Sequence, residues 1–96
     1  MAKESDFQAK VIKWLRSKGC IVYKMQQNAT TRIATPDILA LKEGLWLAIE
    51  CKASKRSKFQ PGQKEMVAKL NEWSYAYIAW PENWPEIQKE LSVILG

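Results

Sequence analysis

Residues 35–52 read TPDILALKEGLWLAIECK, and this stretch decides the fold of the chain. Two runs rich in apolar residues flank the dipeptide Glu43-Gly44, which is typical of a tight turn. Apolar runs of this length, separated by so short a turn, predict two strands paired as a β-hairpin. In the second strand, alternation places one set of residues on each face: Leu45, Leu47, Ile49 and Cys51 on one, and Trp46, Ala48, Glu50 and Lys52 on the other.

Three ionisable residues interrupt the apolar pattern of the hairpin: Asp37, Glu50 and Lys52. Glu50 and Lys52 are two residues apart and share a face of the strand, whereas Asp37 opens the partner strand. Their convergence at one end of the sheet would create a site for a hard divalent cation beside a positive group. The alternative is an edge hairpin whose charges are solvated or form a surface ion pair.

The bulk composition indicates one small domain, residues 1–96, with an anionic partner. Ninety-six residues suffice for one hydrophobic core. The net charge of +5 favours nucleic acid as the partner. The chain has no histidine, which excludes histidine bases and histidine-ligated zinc, and its two cysteines are too few for a disulfide framework. No apolar run would span a bilayer and the N-terminal residues lack the apolar stretch of a signal peptide, so we expect a cytoplasmic protein without a membrane partner.

The remaining apolar patterns predict helices and strands on both sides of the hairpin. Helical spacing and turn signals give the order α-β-β-β-α-β-α, an α/β fold with a mixed sheet. The last strand follows a helix, so we expect it to return by a crossover and to pair parallel to the second strand of the hairpin. Outside the hairpin, the predicted elements are helix 6–18, strand 20–25, a helix from Pro61 to Trp73, strand 75–80 and a final helix from Pro85.

The positions of the five tryptophans in these elements predict which of them lie in the core and which at the surface. Trp14 and Trp73 fit the core-facing sides of their helices, and Trp46 fits either the core or an approach to substrate. Trp80 and Trp84 lie near the C-terminus and suggest a surface for self-association, because aromatic residues are enriched at interfaces.

Pro36-Asp37 followed by Glu50-Cys51-Lys52 resembles the signature of the PD-(D/E)xK nuclease superfamily. The wider context looks like the VRR-NUC branch, in which the hairpin is preceded by a helix bearing a Glu (here Glu4) and followed by one bearing a Gln (here Gln63). The resemblance covers residues 4–80 and implies a restriction-endonuclease-like α-β-β-β-α-β core with a C-terminal helix. It also implies a hydrolase, an endodeoxyribonuclease that depends on Mg²⁺ or Mn²⁺.

The resemblance implies a role for each residue of the hairpin site. Asp37 and Glu50 would bind the metal through their carboxylates, together with the backbone carbonyl of Cys51. Lys52 would be the catalytic cation, which orients the attacking water or stabilises developing charge. Carboxylate and carbonyl oxygens are the kind of ligand that Mg²⁺ takes in proteins.

Two residues outside the hairpin complete the implied site, and each has a structural alternative. A residue in the place of Glu4 approaches the metal in the resembled family, but an acid at a helix N-terminus also complements the helix dipole. Gln63 would face the site as a catalytic residue and bond to Lys52, a water or a phosphate. The alternatives are a solvent-facing Gln63, or a register in which Gln60 takes its place one turn away.

A basic segment, residues 52–58, includes the end of the hairpin site and continues beyond it. Lys55, Arg56 and Lys58 are predicted to contact DNA phosphates, and Arg32, in the polar loop before the hairpin, is predicted to extend this surface. A solvated run of charge is the structural alternative.

The hairpin site and the basic charge, read with the resemblance, therefore predict a metal-dependent DNA endonuclease, and the resemblance implies selectivity for branched DNA such as Holliday junctions. The resemblance implies a homodimer, which would place two sites on a two-fold symmetric junction, and an origin in bacteria or their phages. Two other classes remain open: a non-catalytic DNA-binding module with the same fold, and a protein-interaction domain that exposes the C-terminal tryptophans. Metal-dependent cleavage separates the enzyme from both.

Overall fold

A computed structural model describes residues 4–26 and 34–96 of the chain. Within these ranges the elements follow the predicted order: α1 (Glu4–Ser17), β1 (Ile21–Lys24), β2 (Ile38–Lys42), β3 (Leu45–Cys51), α2 (Gln63–Trp73), β4 (Tyr75–Ala79) and α3 (Trp84–Leu95). They confirm the predicted α/β class and its restriction-endonuclease-like core. None of these helices is long and apolar enough to cross a membrane.

The strands form one sheet in the order β1-β2-β3-β4. β1, β2 and β3 are antiparallel neighbours, and β4 pairs parallel to β3, as predicted. The turn between β2 and β3 lies at Glu43 and Gly44, with φ of 47° and 85° respectively. Positive φ at both positions gives the turn a twist that matches the paired strands, and glycine adopts it without strain. Helix α2 supplies the crossover that a parallel pair of strands requires.

Helices cover both faces of the sheet. On one face, Leu47 of β3 packs in a cluster with Leu15 of α1 and Leu91 of α3, and all three side chains are buried. On the other face, Ala48 of β3 packs against Val67 of α2. The alternation predicted for β3 is therefore confirmed, and the face that carries Glu50 and Lys52 is the one covered by α2.

Helix α2 begins later than the apolar pattern predicts. Gly62, immediately before it, has φ of 84°, which is a left-handed conformation that glycine adopts readily. The prediction that Pro61 occupies the first helical turn is wrong, because the left-handed residue breaks the helical path between Pro61 and Gln63. As a result, Gln63 is the first residue of α2.

Two of the tryptophan predictions are wrong. Trp73 is 67% exposed on α2 instead of facing the core. Trp84 is buried and makes edge-to-face contacts with Phe7 and Trp14, whose ring centroids are 6.2 and 5.4 Å from its own. Its indole belongs to the core between α1 and α3, so Trp84 does not supply the predicted self-association surface. The spacing of apolar residues predicts which side of a helix faces the core. It does not show at which residue that side extends past the part of the protein that covers it.

Lys42, the last residue of β2, forms hydrogen bonds with the C-terminal ends of both α1 and α3. Its Nζ donates hydrogen bonds to the carbonyl oxygens of Lys18 and Leu95, each at 2.7 Å. Gly19 has φ of 90°, and a Cβ built there would come within 3.3 Å of the Lys42 Cε, so glycine suits both the backbone and the lysine stem. Carbonyls at a helix C-terminus lack helical partners and carry the negative end of the dipole, which an ammonium group complements.

Lys42→Met should lower the free energy of unfolding by about 1–3 kcal/mol, because it removes two charge-assisted hydrogen bonds and leaves two helix-end carbonyls without them. Urea denaturation followed by far-UV circular dichroism measures the change. The matched control, Lys89→Met, replaces an exposed lysine on α3 and should change the value by no more than about 0.5 kcal/mol. Equal values for the two variants would contradict the stabilising role of Lys42.

Candidate active site

The register of the hairpin places Asp37 opposite Glu50. Ile38 pairs with Ile49 in the antiparallel ladder, so the next residues outward are Asp37 and Glu50. The Oδ2 atom of Asp37 accepts a hydrogen bond from the backbone N–H of Cys51 at 2.8 Å. This bond fixes the Asp37 carboxylate at the end of β3, beside the peptide group that links Glu50 to Cys51.

Glu50 and Lys52 lie side by side on the face of the sheet that α2 covers. Only 2% and 6% of their surfaces are exposed, and the Glu50 Oε2 and Lys52 Nζ atoms are 3.5 Å apart. The backbone N–H of Lys52 donates to the carbonyl of Ala79 at 2.8 Å, so the ladder with β4 continues past the end of β3. The alternative of a solvated surface ion pair is excluded, because both charged groups are buried.

Gln63 bridges this ion pair from the start of α2. Its Nε2 donates to Oε2 of Glu50 at 3.1 Å, and its Oε1 accepts from Nζ of Lys52 at 2.9 Å. The same Oε1 accepts from the backbone N–H of Gln60 at 2.8 Å, whereas the residue Gln60 is exposed. The geometry therefore favours Gln63 over Gln60 as the amide of the site, and its part in catalysis stays a prediction.

Burial and the proximity of like charges raise the pKa values of two carboxyl groups at the site, those of Glu50 and Glu4. Desolvation, reinforced by the negative charge of Asp37, raises the pKa of Glu50 to about 7, although Lys52 acts in the opposite direction. Desolvation and the charge of Asp37 also raise the pKa of Glu4 above its ordinary value. Among residues 4–26 and 34–96, the carboxyl groups of Asp37, Glu50 and Glu4 interact here with one another and with the ammonium of Lys52, and a bound cation would reduce the repulsion between them.

Glu4 is the first residue of α1 and lies near the same end of the sheet. Its charge interacts with those of Asp37 and Lys52, while its side chain stays exposed. Both interpretations of Glu4, as a metal ligand and as an acid that complements the helix dipole, fit this position. Its role as a ligand stays a prediction.

The donor atoms at this end of the sheet fit a hard cation that keeps part of its water shell. Asp37 and Glu50 offer carboxylate oxygens, and the thiol of Cys51 is buried in the core cluster of the opposite face, which leaves only its backbone carbonyl for the site. In residues 4–26 and 34–96, no group of three Asp, Glu or Cys residues is arranged so that it could hold a metal ion. Mg²⁺ is typically held by one or two carboxylates together with waters and substrate phosphate, so this donor set fits it.

Three of the basic residues predicted to contact DNA lie in the connection that follows the buried cluster in the chain. Lys55, Arg56 and Lys58 are exposed in the connection between β3 and α2. The backbone of Lys58 also belongs to the cluster, since its carbonyl accepts a hydrogen bond from Nζ of Lys52 at 3.0 Å. Arg32 lies outside the described residues. The phosphate contacts stay a prediction.

Two features were not predicted from the sequence: an aromatic contact with Lys52, and a groove between basic residues elsewhere in the molecule. The ring centroid of Phe59 lies 4.7 Å from Nζ of Lys52. A separate groove of about 490 Å³ is lined in part by Lys13 and Arg16 of α1 and Lys24 of β1. The helical spacing of Lys13 and Arg16 could have indicated a shared basic face, whereas the only signal for Phe59 was an aromatic residue standing between a basic segment and a helix.

Comparisons with known proteins place the chain in a family. A search of curated proteins and a search of solved structures gave no match. A family model described as archaeal Holliday junction resolvase (Hjc) matches residues 1–83, a span that includes every predicted site residue. That family is part of the PD-(D/E)xK nuclease superfamily, so the superfamily prediction is confirmed, while the VRR-NUC branch stays a prediction. The chain therefore belongs to the archaeal Holliday junction resolvase family.

Proposed function

We propose that this chain is a metal-dependent endonuclease that cleaves Holliday junctions and related branched DNA. The observation that carries the proposal is a connected cluster of two carboxylates, a buried ammonium and an amide at one end of the sheet: Asp37, Glu50, Lys52 and Gln63. Burial of an ion pair costs desolvation free energy, which a module that only binds DNA has no reason to incur. The family match supports the substrate class.

In this proposal, Asp37 and Glu50 hold Mg²⁺ or Mn²⁺ together with the backbone carbonyl of Cys51. Dependence on a divalent metal is general in the family. When bound, such an ion lowers the pKa of a coordinated water and neutralises charge on the phosphate. Each carboxylate already has a partner that orients it, since the Cys51 N–H donates to Asp37 and the amide of Gln63 donates to Glu50.

Lys52 is the proposed catalytic cation. Its ammonium stands beside Glu50 in a buried environment, where little water screens its charge. There it can stabilise the negative charge that develops on the phosphate oxygens or hold the attacking water. Gln63 bonds to both Lys52 and Glu50 and so keeps the two groups in place relative to each other.

Exposed cations beside the cluster are proposed to bind the DNA backbone. Lys55, Arg56 and Lys58 would neutralise phosphates of strands that enter the site, and Arg32 would extend that surface. The net charge of +5 supports an anionic partner. Such contacts give affinity without reading the base sequence, which suits an enzyme that selects DNA by its branched shape.

A homodimer is the proposed assembly. A four-way junction has two-fold symmetry, and two copies related by a two-fold axis would present one site to each of two strands. The proposed location is the cytoplasm of a bacterium or of the host of a phage.

Lys52→Ala should lose cleavage but keep DNA binding, because the buried ammonium acts on the reacting phosphate while exposed cations supply the affinity. The single-turnover rate on a four-way junction in Mg²⁺ should fall by about 10²- to 10³-fold. Gel assays on junction, flap and linear duplex measure cleavage and binding, with the exposed Lys89→Ala as control. Unimpaired cleavage by Lys52→Ala would remove the mechanism, and salt-sensitive binding by a wild type that never cleaves would favour the non-catalytic module.

Asp37→Asn should lose metal binding and cleavage together, because it removes a charged ligand but keeps an oxygen for the Cys51 N–H. Calorimetric titration with Mn²⁺ measures the binding. The variant should also lower the pKa of Glu50 below about 7, since the charge of Asp37 contributes to raising it, and carboxyl ¹³C NMR measures that shift. Asp6→Asn, on the exposed side of α1, should leave all three quantities unchanged. Wild-type Mn²⁺ affinity in Asp37→Asn would contradict the ligand assignment.

The double variant Lys55→Ala, Arg56→Ala should bind the junction more weakly and with a flatter salt dependence, because fewer counterions are released on binding. The slope of log K against log salt concentration should decrease by about 1 for each lost phosphate contact, as measured by fluorescence anisotropy. Lys69→Ala, Lys89→Ala is the charge-matched control and replaces two exposed lysines elsewhere. Equal slopes for the two double variants would show that only net charge matters.

A further inference from the structure

The Lys52 ammonium is enclosed by a short segment of chain just before and at the start of α2. The carbonyl of Lys58 accepts a hydrogen bond from Nζ at 3.0 Å, and Oε1 of Gln63 accepts another at 2.9 Å. The ring centroid of Phe59 lies 4.7 Å from the same Nζ, and Oε2 of Glu50 lies 3.5 Å from it. Three oxygens and one aromatic ring therefore surround the cation.

Both peptide groups that flank Phe59 are bonded to the site. The carbonyl of Lys58 binds Lys52, and the N–H of Gln60 donates to Oε1 of Gln63 at 2.8 Å. The backbone of Phe59 is therefore held on both sides by residues of the cluster. Phe59 is also partly buried, and a cation–π contact is stronger where water is partly excluded.

The hydrogens of the Lys52 ammonium are matched by protein oxygens. An ammonium group has three hydrogens, and oxygens of Glu50, Lys58 and Gln63 surround this one. To bind a water or a phosphate oxygen, Lys52 must therefore give up one of these partners. A cation–π contact depends on the charge and not on one particular hydrogen, so it persists through such an exchange.

We propose that Phe59 is a positioning residue of the nuclease site, which keeps the Lys52 ammonium beside Glu50 while one of its hydrogen bonds passes to the substrate. This rests on the proposed function, because it takes Lys52 as the catalytic cation. The ring also has a second cation near it, with Nζ of Lys64 at 4.8 Å from the centroid. Lys64 is exposed, and its contact with the ring provides an internal control.

The test compares Phe59→Leu, which removes the ring but keeps apolar volume, with Phe59→Tyr, which keeps the ring. With enzyme in excess of a four-way junction in Mg²⁺, the single-turnover rate should fall about 5- to 30-fold in Phe59→Leu, the range that a partly desolvated cation–π contact covers. Phe59→Tyr should stay within about twofold of the wild type. The dissociation constant for the junction should be the same in all three proteins. Lys64→Met, which removes only the second cation, should keep the wild-type rate.

Three results would overturn the proposal. A loss of junction affinity at unchanged rate in Phe59→Leu would mean that the ring binds DNA itself. Equal rate losses in the Leu and Tyr variants would mean that the packing of the ring, and not its π face, matters. A loss of the same size in Lys64→Met would mean that the ring acts through Lys64.

A structural measurement separates this proposal from the proposed function. The ε-methylene protons of Lys52, next to Nζ, should show an upfield ring-current shift in ¹H–¹³C spectra of the wild type and of Phe59→Tyr, and lose it in Phe59→Leu. If the wild type cleaves no DNA, the proposed function fails, and this shift alone decides whether Phe59 positions the ammonium. A wild type without the shift would overturn the positioning role even if cleavage is normal.

Discussion

The ion pair of Glu50 and Lys52 is buried, and its need for hydrogen-bond partners constrains the residues that surround it at this end of the sheet. A buried charge is tolerated only when it is paired and its other hydrogen-bonding positions are filled. Gln63 bonds to both partners, and the carbonyl of Lys58 takes another hydrogen of the ammonium. The connection between β3 and α2 therefore places the Lys58 carbonyl within hydrogen-bond distance of Lys52. The first residue of α2, Gln63, lies where its amide bonds to both members of the ion pair.

The same arrangement brings several carboxyl groups close together. The carboxyl groups of Glu50 and Glu4 are partly desolvated and lie near the negative charge of Asp37, so the pKa values of both are raised. Like charges brought together weaken a fold, and such groupings are typical of functional sites. The strand that bears Glu50, β3, is paired on both sides, by β2 and by β4. Glu50, which interacts with both of the other carboxylates, is thus carried on a strand that is paired along both edges.

Features set by local pattern could be predicted from the sequence, and features set by contacts between segments could not. The alternation of residues 45–52 gave the two faces of β3 and the shared face of the ion pair, because it follows from strand geometry. The choice between Gln60 and Gln63 depended on where α2 begins, and the left-handed Gly62 that decides it leaves no mark in apolar spacing. Phe59 was missed because its ring meets the ammonium only after the connection folds back over the end of β3.

Lys42 lies at the end of β2 that is remote from the site, and its hydrogen bonds join residues that are far apart in the sequence. Its two acceptors, the carbonyls of Lys18 and Leu95, are 24 and 53 positions away. Contacts between such distant positions close large loops of chain, whose entropy is lost before the contact forms. We therefore expect these bonds to form late, after the hairpin and the folding transition state. Interactions of that kind slow unfolding and leave the folding rate nearly unchanged, so this lysine would determine the lifetime of the native molecule rather than the speed at which it is reached.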